Sequence, residues 1–137
     1  MQKFPASLEK LYDILNFVRQ EATHMGFQSN ALFKIELAME ETLVNIINHG
    51  YRGQPGFIFV QCDPTDHNRK GIRITIKDSG IPFDPVEKKV DMDPQSTLLK
   101  DKKVGGYGIY FIRSIMDDTQ YTRENDYNVL TLMKYID

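Results

Sequence analysis

The chain has 137 residues, 41% of them hydrophobic and 26% charged, with a formal net charge of −2. That is the make-up of one globular domain, and the slightly acidic balance gives no electrostatic reason to expect nucleic acid. A single cysteine, Cys62, excludes an intrachain disulfide and a multi-cysteine zinc site.

No apolar run approaches the ~20 residues that span a bilayer, and the first residues, MQKFPASLEK, lack a signal-peptide core, so no membrane and a cytoplasmic place are expected. Leu8, Leu11, Tyr12, Leu15, Val18 and Ala22 recur at three- and four-residue spacing, which predicts a first helix with one apolar stripe. Ser7 stands where an N-cap belongs, and Gly26 ends the segment. A second helix is expected from Ser29 or Asn30 to His49, with Gly50 as its stop. Phe57 to Cys62 reads as a strand, followed by a turn-rich stretch to Gly71. Ile72, Ile74 and Ile76 alternate with Arg73, Thr75 and Lys77, the pattern of a half-buried strand.

Pro82 to Val104 holds three prolines and five lysines and reads as one long excursion. Loops of that length in compact domains are often lids or binding loops. Gly108 to about Met116 has helical spacing, and two last strands, near Gln120–Arg123 and Val129–Ile136, pair across a turn containing Asn125. This order predicts an α+β fold over residues 1–137 as a single domain. It is a two-layer α/β sandwich, with one mostly antiparallel sheet and its helices on one face.

Three stretches carry polar chemistry. Glu41 and Asn45 are four residues apart, so they stand one turn apart on the same helix face. Leu43, Val44, Ile46 and Ile47 surround Asn45, which puts its amide near the core, where leaving it unpaired costs about 1–3 kcal/mol. An amide oxygen there suits a hard cation such as Mg²⁺ carrying phosphates, and the nearby carboxylate suits proton handling. Asn48 and His49 at the same end can reach a phosphate or ribose. The plainer reading of this group is the polar edge of an amphipathic helix.

Asp78-Ser79-Gly80-Ile81-Pro82-Phe83 follows directly on the Ile72–Lys77 strand. Asp78 can accept a hydrogen bond from an exocyclic amine such as adenine's, Gly80 lets a flat base approach the main chain, and Ile81 and Phe83 can flank it. An ordinary Asp-Ser-Gly turn is the plainer reading. Gly105-Gly106-Tyr107-Gly108 opens a helix, where glycine amides favour an anion, and Lys102 and Lys103 add positive charge. Neither a P-loop nor a Rossmann fingerprint occurs, no GxSxG elbow is present, and His24, His49 and His67 form no metal-ligand spacing with Cys62.

In order, ExxxN on a helix, DxG at a strand end and GGxG at a helix start resemble the GHKL ATPase superfamily, whose domain is the Bergerat or histidine-kinase-like ATPase fold. EETLVNIINHGY, IRITIKDSGIPFDP and GGYGIYFIRSIMDDTQYTRENDYNVLTLMK are similar to its stand-alone anti-sigma-factor serine/threonine kinases, across roughly Phe4 to Ile136. The resemblance implies ATP and Mg²⁺ held between the helical layer and a lid at about 82–104. It puts Glu41 on the family's catalytic base and Asn45 on its Mg²⁺ ligand. Asp78 falls on the adenine-reading aspartate and Gly80 on the glycine beside the base. Gly106 and Gly108 fall on the phosphate-side glycines, with Gly105 and Lys103 alongside. Asn128 stands about where the family usually has a threonine that helps hold adenine through water. Pro82 replaces the second glycine of the superfamily's DxGxG pattern, and the first strand, Met1–Phe4, is short.

The same resemblance implies a homodimer in a partner-switching circuit. It sequesters a sigma factor or another target and phosphorylates a serine or threonine on a small STAS-domain antagonist. The alternative is a non-catalytic module that holds nucleotide and controls a partner by sequestration alone. A sensor histidine kinase needs a helical hairpin ahead of these motifs, and gyrase-type ATPases need a transducer domain after them. From Met1 to Asp137 neither is expected.

Overall fold

Among the described residues five strands form, with apolar alternation plainest in β3 and β5: β1 Gln2–Pro5, β2 Phe57–Pro64, β3 Gly71–Asp78, β4 Asp118–Glu124 and β5 Tyr127–Tyr135. They are seen in a computed structural model that describes residues 1–65, 68–86 and 112–137. The sheet order is β1-β2-β3-β5-β4, every neighbouring pair antiparallel. Helices α1 (Leu11–His24) and α2 (Ser29–Asn45) supply the second layer, with a helical turn at 112–115 next to α2. The α+β sandwich expected from the sequence is the architecture observed.

The two layers follow from the strand pattern. Ile72, Ile74 and Ile76 are wholly buried while Arg73, Thr75 and Lys77 between them are half-exposed, so one sheet face meets the helices. Ile14 and Val18 of α1 and Ile35, Met39 and Leu43 of α2 join them in one core. Each such side chain removed from water stabilises the fold by about 1.5–3 kcal/mol. Arg19 pairs with Glu36 at 2.7 Å across the two helices, an exposed link worth less than about 1 kcal/mol. Among the described residues no helix is long and apolar enough to cross a membrane.

Several boundaries differ from the expected ones. Ser7 makes no side-chain cap; it precedes a 3-10 turn, Leu8–Lys10, and α1 begins only at Leu11. The first strand takes in Pro5, paired with Phe57 at the sheet edge, where proline is tolerated. α2 does not run on regularly to His49: α geometry stops at Asn45, and Ile46–Gly50 is π-helical. Tyr51 N accordingly donates five residues back, to Ile46 O, at 2.9 Å. Such widened turns gather at functional sites. Arg52 (φ 55°) and Gly53 (φ 75°) then turn the chain away in left-handed conformations.

At the far end, Asn125 (φ 56°) makes the tight β4–β5 turn, with Glu124 paired to Tyr127. Cys62 is half-buried in β2 opposite Ile74. Burial pushes its thiol up to about 12, which leaves a small hydrophobe rather than a nucleophile.

Candidate functional site

Paired residues of an antiparallel sheet share a face. On the inner face one row reads Val60, Ile76, Leu130 and Tyr121 across β2, β3, β5 and β4. The next row reads Ile58, Asp78, Asn128 and Arg123. Polar chemistry therefore begins where the apolar core stops.

Asp78 is 3% exposed. Its Oδ1 accepts hydrogen bonds from Gly80 N at 3.0 Å and from Asn128 Nδ2 at 2.9 Å. The first is the Asp-Ser-Gly turn itself, so turn chemistry and a buried carboxylate occur together. Among the described residues both donors converge on Oδ1. Burial raises the carboxyl above its ordinary range, against the opposing pull of the Asn128 and Gly80 hydrogen bonds and the Arg123 charge.

Asn128, 2% exposed, commits its whole amide to the protein. Nδ2 donates to Asp78 Oδ1 and, at 2.8 Å, to Ile81 O. Oδ1 accepts from Phe83 N at 3.2 Å, from Arg123 Nη1 at 3.2 Å and from the Tyr121 hydroxyl. A second brace is Tyr51, whose hydroxyl accepts from Ser79 N at 2.9 Å and donates to Phe57 O. Its ring lies over Gly56, where a Cβ would collide with it.

The end of α2 closes on this turn. Ile81 N donates to Gly50 O at 3.1 Å, and the Phe83 ring stands 5.9 Å from that of His49, centroid to centroid. Gly80 makes its closest approach to the Gly50 main chain. Ile81 is 40% exposed, Asn48 and His49 are exposed, and Phe83 is half-buried.

About a turn before Gly50 stands Asn45, 4% exposed, whose Nδ2 is a buried side-chain atom with no hydrogen-bond partner among the described residues. Glu41 is half-buried one α-turn earlier. Burial raises its carboxyl, and the adjacent Glu40 charge raises it further.

The Asn45 amide fits a metal-bound phosphate: its oxygen can ligate a hard cation, and its Nδ2, unpartnered among the described residues, calls for an acceptor such as a phosphate oxygen. Among the described residues no three His, Cys, Asp or Glu side chains gather to hold an ion. A Mg²⁺ here would draw its other ligands from phosphate and water, as Mg²⁺ commonly does.

Lys102, Lys103, Gly105, Gly106 and Gly108 lie outside the described residues, as does the expected lid beyond Val86. Its flanks are tied together: Arg113 Nε donates to Val86 O at 2.7 Å, and Asp84 Oδ1 accepts from Val86 N at 2.9 Å.

Tyr51, Tyr121 and Arg123 went unsingled in the sequence, and Gly50 stood there only as a helix stop. Tyr121 and Arg123 had a signal. Counting back from the tight turn at Asn125 sets Arg123 opposite Asn128, and the next pairing sets Asn128 opposite Asp78. Nothing local marks Tyr51.

The chain matches the histidine kinase-like ATPase domain family over residues 4–134 and belongs to that family. Within it, the chain is similar to proteins named Serine-protein kinase RsbW. Those of Bacillus thuringiensis (strain Al Hakam) and Bacillus cereus (strain 03BB102) are each 28% identical over 136 residues, which is 98% of this chain and 82% of each relative. The relative from Bacillus anthracis (strain A0248) has the same identity and coverage. Among solved structures, the histidine kinase domain of the Erythrobacter litoralis EL346 blue-light activated histidine kinase matches with a TM-score of 0.49 and 15% identity. That match covers 90% of this chain and 60% of the other.

Proposed function

We propose that this chain binds ATP with Mg²⁺ and is a serine/threonine protein kinase of the anti-sigma-factor type. The observation that carries the reading is Asn45, a nearly buried amide whose Nδ2 is unpartnered among the described residues, one α-turn from a half-buried carboxylate. Family membership supports the nucleotide, and the name of the relatives supports the transfer to serine.

In this reading Asp78 accepts a hydrogen bond from the exocyclic amine of adenine, and Asn128 acts on the base through Asp78. Gly80, Ile81 and Phe83 flank the base, and Asn48 and His49 face ribose or phosphate. Lys103, Gly105, Gly106 and Gly108 hold the phosphates. Asn45 holds Mg²⁺, which when bound neutralises charge on the phosphates. Glu41 takes the proton from the acceptor hydroxyl, and burial and then the Glu40 charge raise its carboxyl, which makes it the stronger base.

The acceptor is a small STAS-domain protein, the sequestered target a sigma factor, and the assembly a homodimer. A cytoplasmic place suits both the ATP supply and an unpaired cysteine.

Calorimetric titration of ATP, with and without Mg²⁺, into wild type and Asp78→Asn tests the nucleotide site. Metal-dependent binding that Asp78→Asn weakens supports it; equal affinity for GTP and ATP contradicts it. Labelled ATP with STAS-domain acceptors tests the transfer. ATP bound without any label passed on would leave a sequestering module.

A further inference from the structure

Asn128 has no spare hydrogen-bonding capacity, and the way it is filled has a direction. Three donors converge on Oδ1: Phe83 N, the Tyr121 hydroxyl and Arg123 Nη1. Turning the amide over would set its NH₂ against all three, so the NH₂ is held toward Asp78 and Ile81 O. Asp78 Oδ1 must then accept, from Asn128 and from Gly80 N alike.

Arg123 contributes at two points. The same Nη1 that meets Asn128 Oδ1 also donates to Gly80 O at 2.8 Å. The guanidinium thus ties the edge strand β4 both to the Asp78 turn and to the amide that orients the carboxylate. It does so from an exposed position outside the core.

We propose that Arg123 is a positioning residue for base selectivity. From β4 it locks the Asn128 amide and the Gly80 carbonyl so that Asp78 presents a fixed acceptor, favouring a purine with an exocyclic amine over one with a carbonyl at that place. The proposal rests on the base-reading role given to Asp78 above. An Asn128 amide free to flip would turn its oxygen to Asp78 and favour the protonated carboxyl, which can donate to a carbonyl as well as accept from an amine, so the preference would be lost. Arg123 needs no contact with the nucleotide for this.

The experiment compares ATP with inosine triphosphate, which replaces the exocyclic amine by a carbonyl, in the presence of Mg²⁺. Dissociation constants are measured by calorimetry for wild type, Arg123→Gln, Arg123→Lys and Asp78→Asn, beside thermal melts of each. Wild type is expected to prefer ATP by about tenfold or more, the range of one well-placed buried hydrogen bond. Arg123→Gln is expected to lower that ratio severalfold while inosine triphosphate binds nearly as before, and Arg123→Lys to recover part of it.

A fall in both affinities together, or no fall in the ratio, overturns the proposal, because a merely structural role moves both nucleotides alike. If Arg123→Gln fails to fold, Tyr121→Phe, which removes another donor to the same oxygen, carries the test with a smaller expected fall. A preference that survives Arg123→Gln but disappears in Asp78→Asn sinks only Arg123. Wild type binding both nucleotides equally sinks the reading of Asp78, and Arg123 with it.

Discussion

Gly80 rests directly on the main chain of Gly50. A Cβ on Gly80 would lie 2.8 Å from both the carbonyl carbon and the oxygen of Gly50, and Ile81 N donates to that same oxygen. This contact joins the end of the α2 helix to the Asp78 turn, and it is backbone on backbone, so no rotamer can relieve it. Gly80→Ala is expected to destabilise the fold by about 1–3 kcal/mol, the usual range for overpacking, and to weaken nucleotide binding. Gly50→Ala is the control. Among the described residues its Cβ would meet nothing nearer than 3.9 Å, so the unliganded fold should tolerate it. Chemical denaturation of both variants checks the asymmetry, and equal losses would contradict it.

Asp78→Asn should separate stability from binding. A carboxyl raised by burial holds its proton more tightly when folded than when unfolded. Its stabilising share is therefore present below the unfolded pKa and is lost as pH rises through the raised one. At neutral pH the buried charge is a cost that the amide removes, while the amide oxygen still accepts from Gly80 and Asn128. The unliganded variant should melt at or above the wild-type temperature at pH 7, an advantage that vanishes in acid. Its ATP affinity should drop about tenfold or more. Melts across pH beside calorimetry decide both halves.

Asn45→Leu tests the orphan amide. With Nδ2 unpartnered among the described residues, an apolar side chain of similar size should be neutral or raise unliganded stability by about 1 kcal/mol. Mg²⁺-dependent ATP binding should disappear. A variant less stable than wild type and still metal-dependent would remove Asn45 from the site.

Glu41→Ala is expected to leave ATP affinity within about twofold and to cut phosphotransfer by roughly 10²–10⁴-fold, the range of a general base. Burial and then Glu40 raise this carboxyl, so the wild-type rate should fall as pH drops through a value above the ordinary carboxylate pKa. Glu40→Gln removes one of those causes and should move the acid limb downward. Single-turnover rates against pH are the measurement, and an acid limb unmoved by Glu40→Gln would exclude the Glu40 contribution.

The alternation of Ile72, Ile74 and Ile76 and the stripe from Leu11 to Ala22 were enough to specify strands, helices and two layers, because burial of apolar surface obeys the period of the backbone. The same periodicities set Glu41 beside Asn45 and put Asp78 at a strand end. Local spacing carries that far. It did not carry the change from α to π geometry after Asn45, because the contacts made there, to the Asp78 turn, come from residues some thirty positions further along.

Nor did it carry the partners of Asn128, which the resemblance alone set beside the base. Only the register of β3, β5 and β4 sets it against Asp78, Tyr121 and Arg123 at once and fills it. Residue chemistry and period are properties of the chain; which donor meets which acceptor is a property of strand pairing and layer contact, and those exist only once the chain has closed on itself.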